Sequence, residues 1–319
     1  MKKKKLKKIF YTFILSLVAY LTIINLTNSY FDLNEVIQNL DYKFFILSLI
    51  CCLISKIFDS FSLYILFNAK SRFHFMYYNR VSFNAQFLNI FPFLGTFYKG
   101  ITLKKDYKIR YLNFIYVLIF TIILDLLLIL LILAFFFFFS AKLGFENKNF
   151  FIMTLLILFV SLIILIFLEK FKFLMKYKMK HFSFLFLKKK YFEFLKINSF
   201  YIKKKFLILK FIIFHLFSDL FFLFSFFFLF IFFSFNISFI QISFIYFLFR
   251  ALTIIKLFPQ NYGINEFIGG FLISKSYVGF ATGYILMICF RLIDILSILF
   301  LAIFFNLKFS KKSYVKKKN

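Results

Sequence analysis

Apolar residues in this chain neither alternate nor form a single helical stripe; they run together in blocks of about twenty, separated by shorter stretches dense in lysine. A block of about 20 apolar residues is the length that crosses a roughly 30 Å hydrocarbon layer as an α-helix. Inside lipid every backbone polar group must be paired, and the ten-residue alternation of a barrel strand is missing from the sequence, so the blocks are predicted to be helices. They fall at approximately 9–27, 44–67, 111–139, 151–168, 206–234, 238–257 and 277–305. The fold class expected is all-α: one polytopic transmembrane bundle of seven or eight spans over residues 1–319. Its first half covers about 1–168, a basic loop 169–205, and its second half about 206–319.

Composition strengthens this reading. With 63% hydrophobic residues and a mean hydropathy of +0.91, too little polar surface remains to wrap a soluble globule of 319 residues. The 41 Lys and Arg against 12 Asp and Glu would suit nucleic acid only on a folded basic face, and here they cluster between apolar blocks. They orient the chain instead. Residues 28–43 hold Asp32, Glu35 and Asp41 against Lys43 and read as outside, whereas 68–80, with Lys70, Arg72 and Arg80, and 99–110, with Lys99, Lys104, Lys105, Lys108 and Arg110, read as inside. The loop 169–205 carries twelve lysines against Glu169 and Glu193 and is also predicted inside. The first block, after MKKKKLKK, reads as a retained helix entering from the cytoplasm, since no small-residue cleavage site follows it. Seven spans would leave the lysine-rich tail outside, so an eighth crossing is sought in Pro259 to Ser276. The expected location is a bacterial plasma membrane with both termini cytoplasmic.

Cys51, Cys52 and Cys289 lie inside apolar blocks without CxxC spacing, which argues against a disulfide framework or a zinc site. The 62 phenylalanines, with no tryptophan, read as compositional drift, and runs such as Phe135 to Phe139 as lipid-facing filler.

Two stretches break the monotony, NIFPFLGTFYKG at 89–100 and LFPQNYGINEFIGGF at 257–271. They hold both prolines, Pro92 and Pro259, and five of the eight glycines: Gly95, Gly100, Gly263, Gly269 and Gly270. Proline removes a donor and glycine permits a reversal, so each stretch is expected to be a broken or re-entrant segment lined by protein or water. One lies in each half, the pattern of an inverted repeat with a shared central site.

In the second stretch, Pro259-Gln260-Asn261-Tyr262-Gly263-Ile264-Asn265-Glu266 resembles the Pro-Gly-Gly-x-Gly-x-x-Glu signature of the lysyl-phosphatidylglycerol synthase transmembrane region, a flippase-like domain also found alone in small bacterial membrane proteins. Pro259, Gly263 and Glu266 match, while Asn261 and Tyr262 depart. The family's earlier Pro-Gly-x-x-Gly-Glu is represented by Pro92-Phe93-Leu94-Gly95-Thr96 without its glutamate, and a downstream Glu-Arg-x-x-Asp is reduced to Asp125. The resemblance implies lipid handling. It makes Pro92, Gly95, Asp125, Pro259, Gly263 and Glu266, with Arg250 deep in its helix, the expected substrate-binding residues.

Ionisable residues within spans are costly and usually face a bundle interior. Lys56 and Asp59 are three apart, His215 and Asp219 four apart, and Arg291 and Asp294 three apart, so each set shares a helix face and reads either as a local pair neutralised for insertion or as part of a functional site. Asp125, Arg250 and Glu266 lack such neighbours and are the better site candidates. His215 and Asp219 supply too few ligands for a metal by spacing. No nucleophile motif, phosphate loop or dinucleotide fingerprint occurs, so neither cofactor nor enzyme chemistry is predicted. The expected function is movement of an anionic or aminoacylated phospholipid, or a lipid-linked head group, between leaflets. Membrane lipids and their anionic head groups are the expected partners, and nucleic acid is not. An enzyme or accessory subunit acting on polyprenyl-phosphate sugars, and a structural subunit docking anionic lipid through the basic loop, are the alternatives.

Overall fold

The computed structural model describes residues 40–69, 74–89, 94–107, 109, 111–139, 200–201, 203–235, 237–254, 264–274 and 280–308. The expected spans at 9–27 and 151–168, most of the basic loop, and Pro92, Pro259 and Gly263 lie outside the described residues. Among the described residues the ordered elements are eight α-helices: α1 (Tyr42–Asn68), α2 (Phe75–Leu88), α3 (Leu94–Tyr107), α4 (Tyr111–Phe139), α5 (Lys205–Phe232), α6 (Phe239–Ile254), α7 (Ile264–Ser274) and α8 (Phe280–Lys308).

Helices α1, α4, α5 and α8 are long and apolar enough to cross a membrane, and α6 is a shorter apolar helix. Together they coincide with five of the predicted spans to within a few residues. The eleven residues of α7 extend about 16 Å at 1.5 Å per residue, about half the hydrocarbon thickness, so α7 by itself is too short to span it.

The ends of these helices follow from local chemistry. The Asp41 carboxylate caps α1 by accepting from the Lys43 N–H at 3.1 Å. Ser238 and Gln241 form a reciprocal capping box at the start of α6, with contacts of 3.3 and 3.4 Å. Just before it, Ser234 takes a left-handed φ of 57° in the turn that reverses α5 into α6.

At the heart of the bundle α1 packs along α5, and later residues of one meet earlier residues of the other, so the two run antiparallel. Two serine rungs hold them. Ser48 Oγ donates to the Ser225 carbonyl at 2.7 Å with its Oγ 3.0 Å from Ser225 Oγ, and Ser55 Oγ lies 3.2 Å from Ser218 Oγ. Small hydroxyl residues allow close backbone approach in lipid, where hydrogen bonding and packing supply the association energy. An offset of 170 residues carries Ser48 onto Ser218 and Ser55 onto Ser225, so exchanging the helices converts one rung into the other. That is the contact pattern of a local two-fold axis between α1 and α5. The same offset relates Gly100 to Gly270, and one residue less relates Asp125 to Asp294.

Aromatic packing fills the space between. Phe58 of α1 stacks with Phe214, Phe217 and Phe221 of α5 at 5.7 to 6.1 Å between ring centroids. Phe226 and Phe230 are fully buried, and Phe136 of α4 meets Phe244 and Phe247 of α6 at 5.9 and 6.4 Å. The reading of phenylalanine runs as lipid-facing filler is therefore corrected: Phe135 faces outward while its neighbour Phe136 packs against the core. On a helix, adjacent positions point about 100° apart, so a run must serve both environments.

Candidate functional site

The described part of each interrupted stretch lies at a tight helical joint. In the first, Asn89 ends α2 and its Oδ1 accepts from the Thr96 N–H at 3.1 Å, capping the first turn of α3. Gly95 lets α3 touch α2: a Cβ there would overlap the Ala85 carbonyl oxygen and lie 2.5 Å from Asn89 Oδ1. In the second, α7 folds onto α8 through glycines on both sides. A Cβ at Gly270 would stand 3.0 Å from the Tyr284 backbone, and one at Gly283 would stand 2.8 Å from the Gly270 carbonyl oxygen.

Between the joints, charged side chains from six helices converge. Arg250 of α6 places one guanidinium nitrogen, Nη2, 2.9 Å from Asp219 Oδ1 of α5 and 3.1 Å from Asp125 Oδ1 of α4. His215 of α5 places Nε2 2.8 Å from the same Asp125 oxygen. Its Nδ1 side faces Asp59 of α1 at 3.9 Å, and its ring stacks on Phe211 at 5.3 Å. A planar guanidinium is suited to holding two carboxylates at once, and it fixes α4, α5 and α6 relative to one another. Asp125, His215 and Asp219 bring ligand-type atoms within 4.8 Å, so the third ligand-type residue that spacing alone did not supply comes from α4. The Arg250 cation already lies against both carboxylates, which suits an ion-pair network in preference to a metal ion.

Beside this network Lys56 of α1 reaches Asp294 of α8 at 2.5 Å, with Phe222 beneath its ammonium at 5.2 Å. Cys52 and Ser297, a turn away on the same two helices, are 3.3 Å apart. Arg291 of α8 lies 3.7 Å from Glu266 of α7. The expectation of a local pair is thus corrected for Lys56, which takes its close contact from Asp294 and not from Asp59, while Arg291 meets Glu266 across the α7–α8 contact. For His215 the tight contact is Asp125, with Asp219 at 3.9 Å. Helical spacing says which residues share a face; it does not say which helix that face meets.

Of the expected site residues, Arg250 and Asp125 are joined in one network, Glu266 is held by α8, and Gly95 serves the α2–α3 joint. Among the described residues, Lys56, Arg250, Arg291 and the His215 imidazole face the carboxylates of Asp59, Asp125, Asp219, Asp294 and Glu266.

A residue that the sequence reading left among the loop lysines belongs with these. Lys99 of α3 is 7% exposed, donates to Ser82 Oγ at 2.9 Å and lies 4.6 Å from the Tyr78 ring. Its position inside the Pro- and Gly-interrupted stretch was the available signal. Burial brings its ammonium down to about 8, opposed by the field of Asp59. Nearby, the Tyr77 hydroxyl donates to Asp106, tying α2 to α3.

No curated protein and no solved structure matches the chain. A family model does match, described as the lysylphosphatidylglycerol synthase TM region and covering residues 10–302. The match runs through every described helix up to the last turns of α8, including both joints and all of the converging charges, and this multi-pass membrane chain belongs to the lysylphosphatidylglycerol synthase transmembrane-region family.

Proposed function

We propose that the protein moves a phospholipid or lipid-linked head group, anionic or aminoacylated, between the leaflets of a bacterial plasma membrane, acting as a transporter and not as an enzyme, with both termini cytoplasmic. The observation that carries this reading is the convergence of charged side chains from six helices inside the bundle. Ionisable groups at membrane depth are costly and mark a site for polar ligands, and carboxylates there are a natural counter-charge for a head-group amine. Glu266 and Asp125 are the residues assigned to receive that amine. Membership of the family and the half-length helix α7 at the joint support the same reading. Acyl tails would stay in lipid throughout, so only the polar head needs a path between the joints.

The test is reconstitution of the purified protein into sealed vesicles carrying a trace of fluorescent lysylphosphatidylglycerol, with leaflet distribution followed by quenching from outside. The expected result is faster exchange than in protein-free vesicles, and slower exchange for Glu266→Gln at equal protein content. Exchange no faster than in empty vesicles, for this lipid and for phosphatidylglycerol, overturns the reading.

A further inference from the structure

We infer that Lys99, Ser82 and Asn79 form a phosphate-recognition subsite at the α2–α3 joint. Arg250 is the cation that the sequence marks for an anionic head group, but its guanidinium is already held by two carboxylates. Lys99 is in the opposite condition. It is buried, and among the described residues no carboxylate lies within ion-pair distance of it; its contacts are a serine hydroxyl and an aromatic face. Burying an ammonium without a counter-ion is unfavourable unless the site has an anion to receive.

The surrounding groups have the complementary chemistry. Ser82 Oγ accepts from Lys99, which leaves its own hydroxyl proton to donate. Asn79 is fully buried, and its Oδ1 accepts from the Ser60 hydroxyl at 2.7 Å. That bond orients the amide and leaves Nδ2, which has no hydrogen-bond partner, with two donors. Asn79 and Ser82 are three residues apart on α2, the spacing that places side chains on one helix face. An ammonium, a hydroxyl and a primary amide, all with donors to spare, match the acceptor-rich oxygens of a phosphate ester. Gly95 and Asn89 fix α3 against α2 and so fix where Lys99 stands.

This deepens the lipid reading and takes its substrate class from it, naming where the head-group phosphate seats while the amine faces the carboxylate cluster. Binding can be measured without transport, so the two ideas fail separately.

The test uses the full chain in detergent with short-chain phosphatidylglycerol, the matching diacylglycerol without phosphate, and inorganic phosphate as probes. Affinity is read by calorimetry and by the rise in melting temperature. The wild type is expected to bind phosphatidylglycerol at least tenfold more tightly than Lys99→Met does, and to ignore the diacylglycerol. Without lipid, Lys99→Met should melt no lower than wild type, because it removes a buried unpaired charge. Asn79→Leu and Ser82→Ala provide second variants that should weaken binding severalfold. Inorganic phosphate bound as tightly as the lipid would assign the site to free phosphate and overturn the lipid source.

A pH series isolates the lysine. The charges and titratable groups facing it are Asp59 of α1 and Tyr78 of α2, and burial pushes the Tyr78 phenol well above its ordinary range. With Lys99 near 8 in the free protein, its charged fraction falls about tenfold between pH 7 and pH 9, and affinity should fall with it. Lys99→Arg, which stays charged, should lose this dependence. Equal affinity for phosphatidylglycerol in wild type, Lys99→Met and Asn79→Leu overturns the subsite.

Discussion

Replacing Asp294 with Asn tests whether the intramembrane charges neutralise across helices. The substitution keeps size and hydrogen-bonding capacity but leaves Lys56 without the carboxylate 2.5 Å from its ammonium. The Lys56 and Asp294 side chains are only 18% and 16% exposed. Removing one partner of such a pair costs about 3–5 kcal/mol, because the remaining charge is stranded. A lone lysine near a helix centre costs about 2.5–3.5 kcal/mol on insertion scales. Both routes point to a loss on the order of 3 kcal/mol, more than a hundredfold in an equilibrium, and so to low abundance. Asp59→Asn is the contrast. Its carboxylate is 34% exposed and 3.9 Å from His215 Nδ1, so its removal should cost under about 1 kcal/mol and leave abundance near normal. The double variant Lys56→Met with Asp294→Leu removes both charges and should recover most of the loss, since apolar replacement of a buried pair is often neutral. The assay is fluorescence of a tagged protein in membranes, with melting of the detergent-solubilised protein as a second measure. Normal abundance for Asp294→Asn, or a double variant as poor as the single one, refutes the cross-helix pairing argument.

Gly95→Ala should lower the melting temperature by several degrees, corresponding to about 1–3 kcal/mol of overpacking, because the added methyl meets the Ala85 carbonyl oxygen; an unchanged melt would show that the α2–α3 joint yields freely. Arg250→Lys replaces a fork by a point charge and cannot hold Asp125 and Asp219 in the same way. With a charged hydrogen bond worth about 1.5–3 kcal/mol, lipid exchange should fall at least tenfold while the protein still inserts, and wild-type exchange would remove Arg250 from the site. A cysteine at Ser313 in a cysteine-free background should react with an impermeant reagent only after the cells are opened; labelling of sealed cells would put the tail outside.

Much of the fold was legible because lipid imposes length. Blocks such as 44–67 and 206–234 must be helices of nearly that extent, and α1 and α5 agree to within about two residues at each end. The joints were legible too, since proline and glycine in an otherwise uniform chain mark where helix cannot simply continue. What could not be read was the choice of partner. Lys56 sits three residues from Asp59, yet its close contact comes from a helix more than two hundred residues later. Lys99 was hidden for a related reason: in a chain with 41 basic residues, one that turns inward looks like those that mark the cytoplasmic side. The rung serines recur at a seven-residue spacing, Ser48 to Ser55 and Ser218 to Ser225, but a serine in an apolar helix is not unusual and the spacing does not say which two helices it joins.

Those rungs have an implication for how the halves are divided. A copy of α1 laid antiparallel on α1 would set Ser48 against Ser55 twice over, so that helix face is complementary to itself. A half-length protein with this face would need some copies inserted upright and others upside down, and lysine-rich loops forbid the second orientation. Joining two halves in one chain removes the conflict by building the inverted copy in. It also lets the copies diverge: 170 residues beyond Lys56 and Asp59 stand Phe226 and Leu229, and 170 before His215 and Asp219 stand Phe45 and Leu49. Each half therefore brings charges where the other has apolar residues at the 170-residue offset, and neither half paired with its own twin would assemble the mixed cluster.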